Sequence, residues 1–245
     1  MEIDWIFFDC FNTLIDDFDE TGDESGMKPI AHIPAKHGLY ERADDFHRAY
    51  LQWRVDYWSQ GNNDEVHLEQ RFRSMLQKAS DDSGVSIDLS SIIQEMMHTF
   101  HTVFPSTVRR SPKVESVLEA FSGKIKMGVV SNFFLPDYPE KLLKEHGLDH
   151  YFDFIIDSAQ VKIKKPGRAI YETALACAGL DHTKVHRVLF VGDNLRNDVL
   201  IPQEMGMRAV HYDRSDVLNR KQHEIAQHAI TDWSQFENIL ESVTI

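Results

Sequence analysis

The chain has 245 residues, 42% of them hydrophobic and 27% charged, with a formal net charge of −13. That length can bury one sizeable core, or one core with a smaller lid, and the composition is that of a folded chain rather than a disordered one. The acid excess disfavours nucleic acid, which needs clustered Lys and Arg against many phosphates. No apolar run approaches the roughly 20 residues of a membrane span, and Met1 to Asp4 lacks the basic start of a secretion signal, so a cytoplasmic protein is expected.

Ile3 to Phe8 reads as a buried strand that stops on Asp9 and passes into a polar turn at Asn12 and Thr13. Asp16 to Gly26 is acidic, contains glycine and has little to bury, the pattern of a solvated hinge. From about Glu41 to Phe104 the apolar residues recur at helical spacing. Phe46, Ala49, Tyr50, Trp53 and Tyr57 form one face; Leu68, Phe72, Met75, Leu76 and Ala79 a second; Ile92, Ile93, Met96, Met97, Phe100 and Phe104 a third. These predict a helical cap over 16–105, inserted after the first strand and hinged near Asp16–Gly26 and Pro105–Ser111.

Ser111 as N-cap with Pro112 at the first helical position predicts a helix through Val114, Val117, Leu118 and Phe121. Met127–Val130, Phe152–Ile156, Val188–Val191 and Arg208–His211 read as the second to fifth strands, separated by helical segments. That alternation predicts an α/β fold, a doubly wound, mainly parallel Rossmann-like sheet built from 1–15 and 106–245. Cys10 and Cys177 suggest neither a disulfide framework nor a zinc site, and both are expected to be small buried side chains.

Ligands of such sheets bind beyond the carboxyl ends of the strands, and the chemically able residues stand there. The first strand ends at Asp9 and the second at Ser131-Asn132. Lys164-Lys165-Pro166 follows the third, and the fourth ends in Gly192-Asp193-Asn194 with Asp198 five residues beyond Asp193. A carboxylate can act as a nucleophile. The Ser131 hydroxyl and the Asn132 N–H and amide suit the oxygens of an anion. Asp9, Asp193 and the Phe11 carbonyl offer hard oxygen donors for magnesium, with Asp198 nearby or bound through water. The expected partner is a small anionic molecule. His98 and His101 read as helix surface, and Tyr50, Trp53, Tyr57 and Trp58 as cap core before pocket wall. Arg48 and Arg54 are alternative groups for reaching an anion from the cap.

In order and spacing, these residues resemble the four motifs of the haloacid dehalogenase-like hydrolase superfamily, over residues 1–15 and roughly 106–212. The cap matches in being helical and in its insertion point. The resemblance implies strand order 3-2-1-4-5, Asp9 as nucleophile, and Lys165 as the cation that offsets the charge of nucleophile and substrate. It also implies that Ser131 and Asn132 line the site, and that Thr13 orders the turn by hydrogen bonding. Lys162 and Lys164 are left as surface charges.

One position departs. The second Asp of the first motif, which in similar phosphatases protonates the leaving alkoxide and activates water, is Phe11 here. Loss of a positioned acid and base costs on the order of 10² to 10⁴ in rate, enough to disable slow esters but tolerable when the leaving group is already a good anion or when the cap or substrate lends an acid. Three readings follow: a magnesium-dependent phosphohydrolase of small activated phosphates, a metal-independent 2-haloacid dehalogenase, or a non-catalytic binding or regulatory protein. In dehalogenating relatives halide leaves without a proton and an aromatic residue occupies this position. Those relatives commonly have Ser and Asn where this chain has Gly192 and Asp193. Oligomeric state is left open by the sequence.

Overall fold

A computed structural model describes residues 3–17, 27–84, 87–214 and 228–244. Strand β1 spans Trp5–Phe8; β2 (Ile15–Asp16) and β3 (Arg109–Arg110) form a separate antiparallel pair. The main sheet adds β4 (Lys126–Ser131), β5 (Phe154–Asp157), β6 (Val188–Gly192), β7 (Arg208–Tyr212) and β8 (Ala229–Ile230). Its order is β5-β4-β1-β6-β7-β8, with every neighbouring pair parallel. The five expected strands therefore stand in the expected order, and β8 extends the edge beyond them.

β1 is central, so its side chains are buried on both faces of the sheet, as a parallel strand between two helical layers requires. Alternation splits them: Ile6 and Phe8 join one core, Trp5 and Phe7 the other. Helices α5 (Val114–Phe121), α6 (Tyr138–Glu145) and the C-terminal helix Phe236–Thr244 pack with the first set. Of the next two helices, α7 (Ser158–Val161) is short, and α8 (Arg168–Cys177) packs with the second set. Gly128 is needed for close approach: a Cβ there would lie 2.3 Å from the Phe154 ring.

Between β2 and β3 the chain forms α1 (His32–Lys36), α2 (Ala43–Ser59), α3 (Leu68–Ser83) and α4 (Leu89–Thr107). The predicted apolar faces are the buried ones, including Phe46, Tyr50, Phe72, Leu76, Ile92, Met96 and Phe104. Asp88 caps α4 through Ser90 N–H at 3.0 Å, and Gly84 ends α3 in the left-handed conformation at φ 69°. Short α1 was not expected; five residues carry too little periodicity to show.

Several expectations need correction. Pro105 lies inside the last turn of α4 and Arg109–Arg110 form β3, so most of 105–111 is helix or strand, with Val108 alone between the two elements. Asp16 is likewise fixed, paired in β2 and bound by the buried Arg214 and by Arg109 at 3.6 Å. The rest of that acidic stretch, 18–26, lies outside the described residues. Helix α5 starts at Val114 after Lys113 at φ 64°, not at Pro112. Ser111 is engaged elsewhere: its N–H donates to the Leu14 carbonyl at 3.0 Å and its hydroxyl meets the Tyr212 hydroxyl at 3.4 Å. Cys10 is buried, but Cys177, at the end of α8, is exposed.

Candidate active site

Asp9 follows β1 immediately, and its N–H continues the ladder by donating to the Val191 carbonyl at 2.8 Å. The carboxylate emerges at the strand end with its side chain 11% exposed. Lys165, 2% exposed at its side chain, donates from Nζ to Asp9 Oδ1 and to Asp198 Oδ1, each at 2.8 Å. Burial opposes the Lys165 charge, but Asp198 and Asp9 outweigh it and hold the ammonium above its ordinary range. For Asp198 burial dominates: with Asp9 beside it, the carboxyl is pushed up to about 6 against the pull of Lys165.

Local backbone sets this geometry. Asp198 sits in a π-helical stretch, Leu195–Leu200, and its Oδ2 accepts the Asn194 N–H at 3.0 Å. Gly192 makes room for it: a Cβ there would fall 2.4 Å from the Asp198 carboxyl. Asp193 is buried, and its carbonyl accepts a hydrogen bond from His211 Nε2 at 3.0 Å. Ligand oxygens of Asp9, Asp193 and Asp198 lie within 4.8 Å of one another. Asp9 Oδ2 has no hydrogen bond among the described residues. Three converging carboxylates, one with an unengaged oxygen, are the hard donors that magnesium takes, so the residues present fit that ion.

The remaining expected residues divide. Asn132 lines the cleft with its amide engaged: Nδ2 donates to the Lys165 carbonyl at 2.9 Å and Oδ1 accepts the Lys165 N–H at 2.7 Å. It thereby positions the cation. The turn after Asp9 is ordered by backbone bonds from Leu14 and Ile15 to the Cys10 carbonyl, not by the Thr13 hydroxyl. The Oγ atoms of Thr13 and Ser131 are sealed from solvent and lack a hydrogen-bond partner among the described residues, two buried donors beside the nucleophile turn and the β4 end. Cys10 is inert, its thiol pushed up by burial and then by Asp9.

Phe11 points into an aromatic cluster. Its ring stacks on Phe133 at 4.6 Å and 18° and lies 6.2 Å from Phe104. Phe104 and Phe133 are themselves stacked, and Tyr138 lies against both. The position that carries a proton donor in similar phosphatases is thus occupied by hydrophobic packing between the helical insertion and the sheet.

A cleft of about 580 Å³ opens over Asp9, Lys165, Asp193 and Asp198, walled by Phe11, Trp58 and Phe133. Arg54, Arg71, Glu65, Asp17 and Lys164 also line it, and none of these but Arg54 was expected. Arg48 is exposed and bound to Asp45 at 2.5 Å, so of the two expected arginines Arg54 is the one that lines the cleft. Trp58 is 44% exposed and belongs to the cleft wall, while Tyr50 is core. His98 and His101 are exposed helix residues, with His101 Nδ1 3.3 Å from the Tyr138 hydroxyl. Lys162 is exposed as expected, whereas Lys164 is buried, with Nζ over the rings of Tyr57 and Trp58. Only the identity of Lys164 as the residue before the motif cation hinted at a role near the site.

A family model for haloacid dehalogenase-like hydrolases matches residues 40–212. Among curated proteins, the pyrimidine 5'-nucleotidase YjjG of Escherichia coli is 28% identical over 204 residues, covering 82% of this chain and 81% of that protein. The glyceraldehyde 3-phosphate phosphatase of Methanothermobacter thermautotrophicus is 27% identical over 208 residues, covering 84% and 83%. Among solved structures, a 2-haloacid dehalogenase from Pseudomonas syringae superposes with a TM-score of 0.71 at 22% identity, covering 98% of this chain and 99% of that one.

Proposed function

Because the chain belongs to the haloacid dehalogenase-like hydrolases, we propose that it is a magnesium-dependent phosphohydrolase acting through Asp9 on small, activated phosphates. The observation that carries this reading is the buried set of Asp9, Lys165, Asp193 and Asp198 at the strand ends. Relatives named as a nucleotidase and a phosphatase support phosphate esters as the substrate class. Magnesium held by Asp9, Asp193, Asp198 and the Phe11 carbonyl would supply positive charge to the phosphoryl oxygens.

The chain's own groups do the rest. A carboxylate oxygen of Asp9 attacks phosphorus while the bond from phosphorus to the leaving oxygen breaks, and that electron pair leaves with the oxygen as a phenolate or carboxylate. Water then attacks the phosphoryl-aspartate, releasing phosphate and regenerating the carboxylate. Lys165 stays charged throughout and opposes the build-up of negative charge around Asp9. The Ser131 and Thr13 hydroxyls, buried and without a partner among the described residues, would reach the phosphoryl group only if the strand ends shift to expose them. Phe11 supplies no proton, so the leaving group must be stable as an anion, as in an aryl or acyl phosphate. A cytoplasmic setting fits a chain whose two cysteines are unpaired.

Phe11 also favours a second reading, dehalogenation of a 2-haloacid, because halide leaves without a proton. Asp193 weighs against it, since a carboxylate beside Asp9 repels a carboxylate substrate unless a cation intervenes. Two assays separate the readings. Magnesium-stimulated hydrolysis of p-nitrophenyl phosphate that is abolished in Asp9→Asn supports the phosphatase. Chloride release from 2-chloropropionate in the presence of chelator, with no hydrolysis of the aryl phosphate, overturns it.

A further inference from the structure

Lys164 is 8% exposed, yet its ammonium faces a cleft and makes no hydrogen bond or ion pair among the described residues. Nζ lies 4.9 Å from the Tyr57 ring centre and 5.0 Å from that of Trp58. Glu65 and Asp64 support its charge only through space, without a hydrogen bond or ion pair to it. Glu65 already accepts from Arg71 at 2.8 Å, from Val66 N–H at 3.1 Å and from the Ser158 hydroxyl at 2.6 Å. Arg54 adds a second cation, its guanidinium 4.5 Å from the Trp58 ring centre.

This arrangement is built rather than incidental. The loop between α2 and α3 is stitched to the Lys164 segment by two backbone bonds, Lys164 N–H to the Asn63 carbonyl at 2.8 Å and Glu65 N–H to the Lys162 carbonyl at 2.9 Å. Those bonds set Tyr57 and Trp58 over the ammonium. Burial, with Arg71 and Arg54 nearby, pushes Lys164 down to about 8 even though Glu65 and Asp64 pull the other way, so its charge is held at a cost that an anion in direct contact would relieve. The adjacent Lys165 is committed to Asp9 and Asp198 and has no such capacity.

We propose that Lys164, with Arg54 at the Trp58 wall, binds a second oxyanion of the substrate, a carboxylate or a further phosphate carried by the leaving part. The preferred substrate is then a small phosphate ester with two separated anionic groups. This rests on the phosphatase reading for the position of the reacting phosphate.

Matched aryl phosphates test it: 4-carboxyphenyl phosphate against the near-isosteric neutral 4-carbamoylphenyl phosphate, with magnesium chloride present. A third probe, 4-(phosphonomethyl)phenyl phosphate, tells whether a phosphorus oxyanion is preferred over a carboxylate. The wild type should favour an anionic probe over the neutral one by about tenfold or more in kcat/KM, the worth of one hydrogen bond to a charged group. In Lys164→Met and Lys164→Gln that ratio should fall to within about twofold of one, with Lys164→Arg keeping part of it. A ratio near one in the wild type, or one unchanged in both variants, overturns the proposal. If no aryl phosphate is turned over, the phosphatase reading has failed, and binding still decides. The corresponding benzylphosphonates, measured by calorimetry, must show the same preference for the charged member and the same loss of it in both variants.

Discussion

Lys165→Met isolates what the buried ammonium does for the fold, apart from any reaction. Its Nζ serves Asp9 and Asp198 at 2.8 Å each, and all three side chains are nearly shut off from solvent. Removing one partner of such a cluster leaves uncompensated buried carboxylates, at a cost of about 3–5 kcal/mol at neutral pH. A domain is stable by only about 5–15 kcal/mol, so the variant should be marginal but folded. In urea the midpoint should fall by about 1–2 M. The pH dependence gives the reasoning its sharper check. Asp198 already stands near 6 with the lysine present, and without it that carboxyl rises further. A carboxyl whose folded value lies above its unfolded one contributes stability at low pH that is lost as pH rises through the folded value. The deficit of Lys165→Met should therefore be large at pH 7.5 and much smaller at pH 5. Added magnesium chloride should restore part of it by placing a cation among the carboxylates. A midpoint equal to wild type at pH 7.5, or a deficit that grows on acidification, would refute the charge-balancing role.

Other perturbations act on neighbouring parts. Gly192→Ala puts a Cβ 2.4 Å from the Asp198 carboxyl, which must swing away from Lys165; about 1–3 kcal/mol of stability should be lost and magnesium affinity weakened. Unchanged calorimetric magnesium binding in that variant would show that Asp198 does not touch the cation site. Because Asp198 must be deprotonated to bind a metal, magnesium affinity in the wild type should decline as pH falls through about 6, and a flat profile from pH 7.5 to 5 would exclude it as a ligand. Phe11→Asp restores the missing residue type but places a carboxyl against Phe133 and Phe104, so thermal unfolding should report a loss of about 3–5 kcal/mol. Stability equal to the wild type would mean that the ring is not packed as described.

The sheet was legible because each central strand is an apolar run with an abrupt polar end, and Asp9, Lys165, Asp193 and Asp198 were legible because they occupy those ends. Short elements were not. Arg109–Arg110 is exposed and charged, and Ala229–Ile230 is two residues long, so neither β3 nor β8 imposes a pattern. Lys164 was misread for a different reason. A run of lysines looks solvated, and what buries this one is a pair of rings from α2, more than a hundred positions away in sequence. Asn132 lines the cleft at the end of β4, where the strand pattern puts it, but its bonds depend on where the loop after β5 returns, which no local pattern encodes.

Asn132 has a consequence for how the site moves. Its carboxamide bonds both the N–H and the carbonyl of Lys165, 33 residues away, much as a neighbouring strand would. An Asp there could accept but not donate, and a Ser could not span both atoms. The two loops thereby share one rigid link, with Lys165 anchored to the end of β4 and Lys164 carried beside it. A displacement of Lys164 by an arriving ligand is then passed to the backbone of Lys165, the residue gripping Asp9, so occupancy at one end of the cleft bears directly on the aim of the nucleophile at the other.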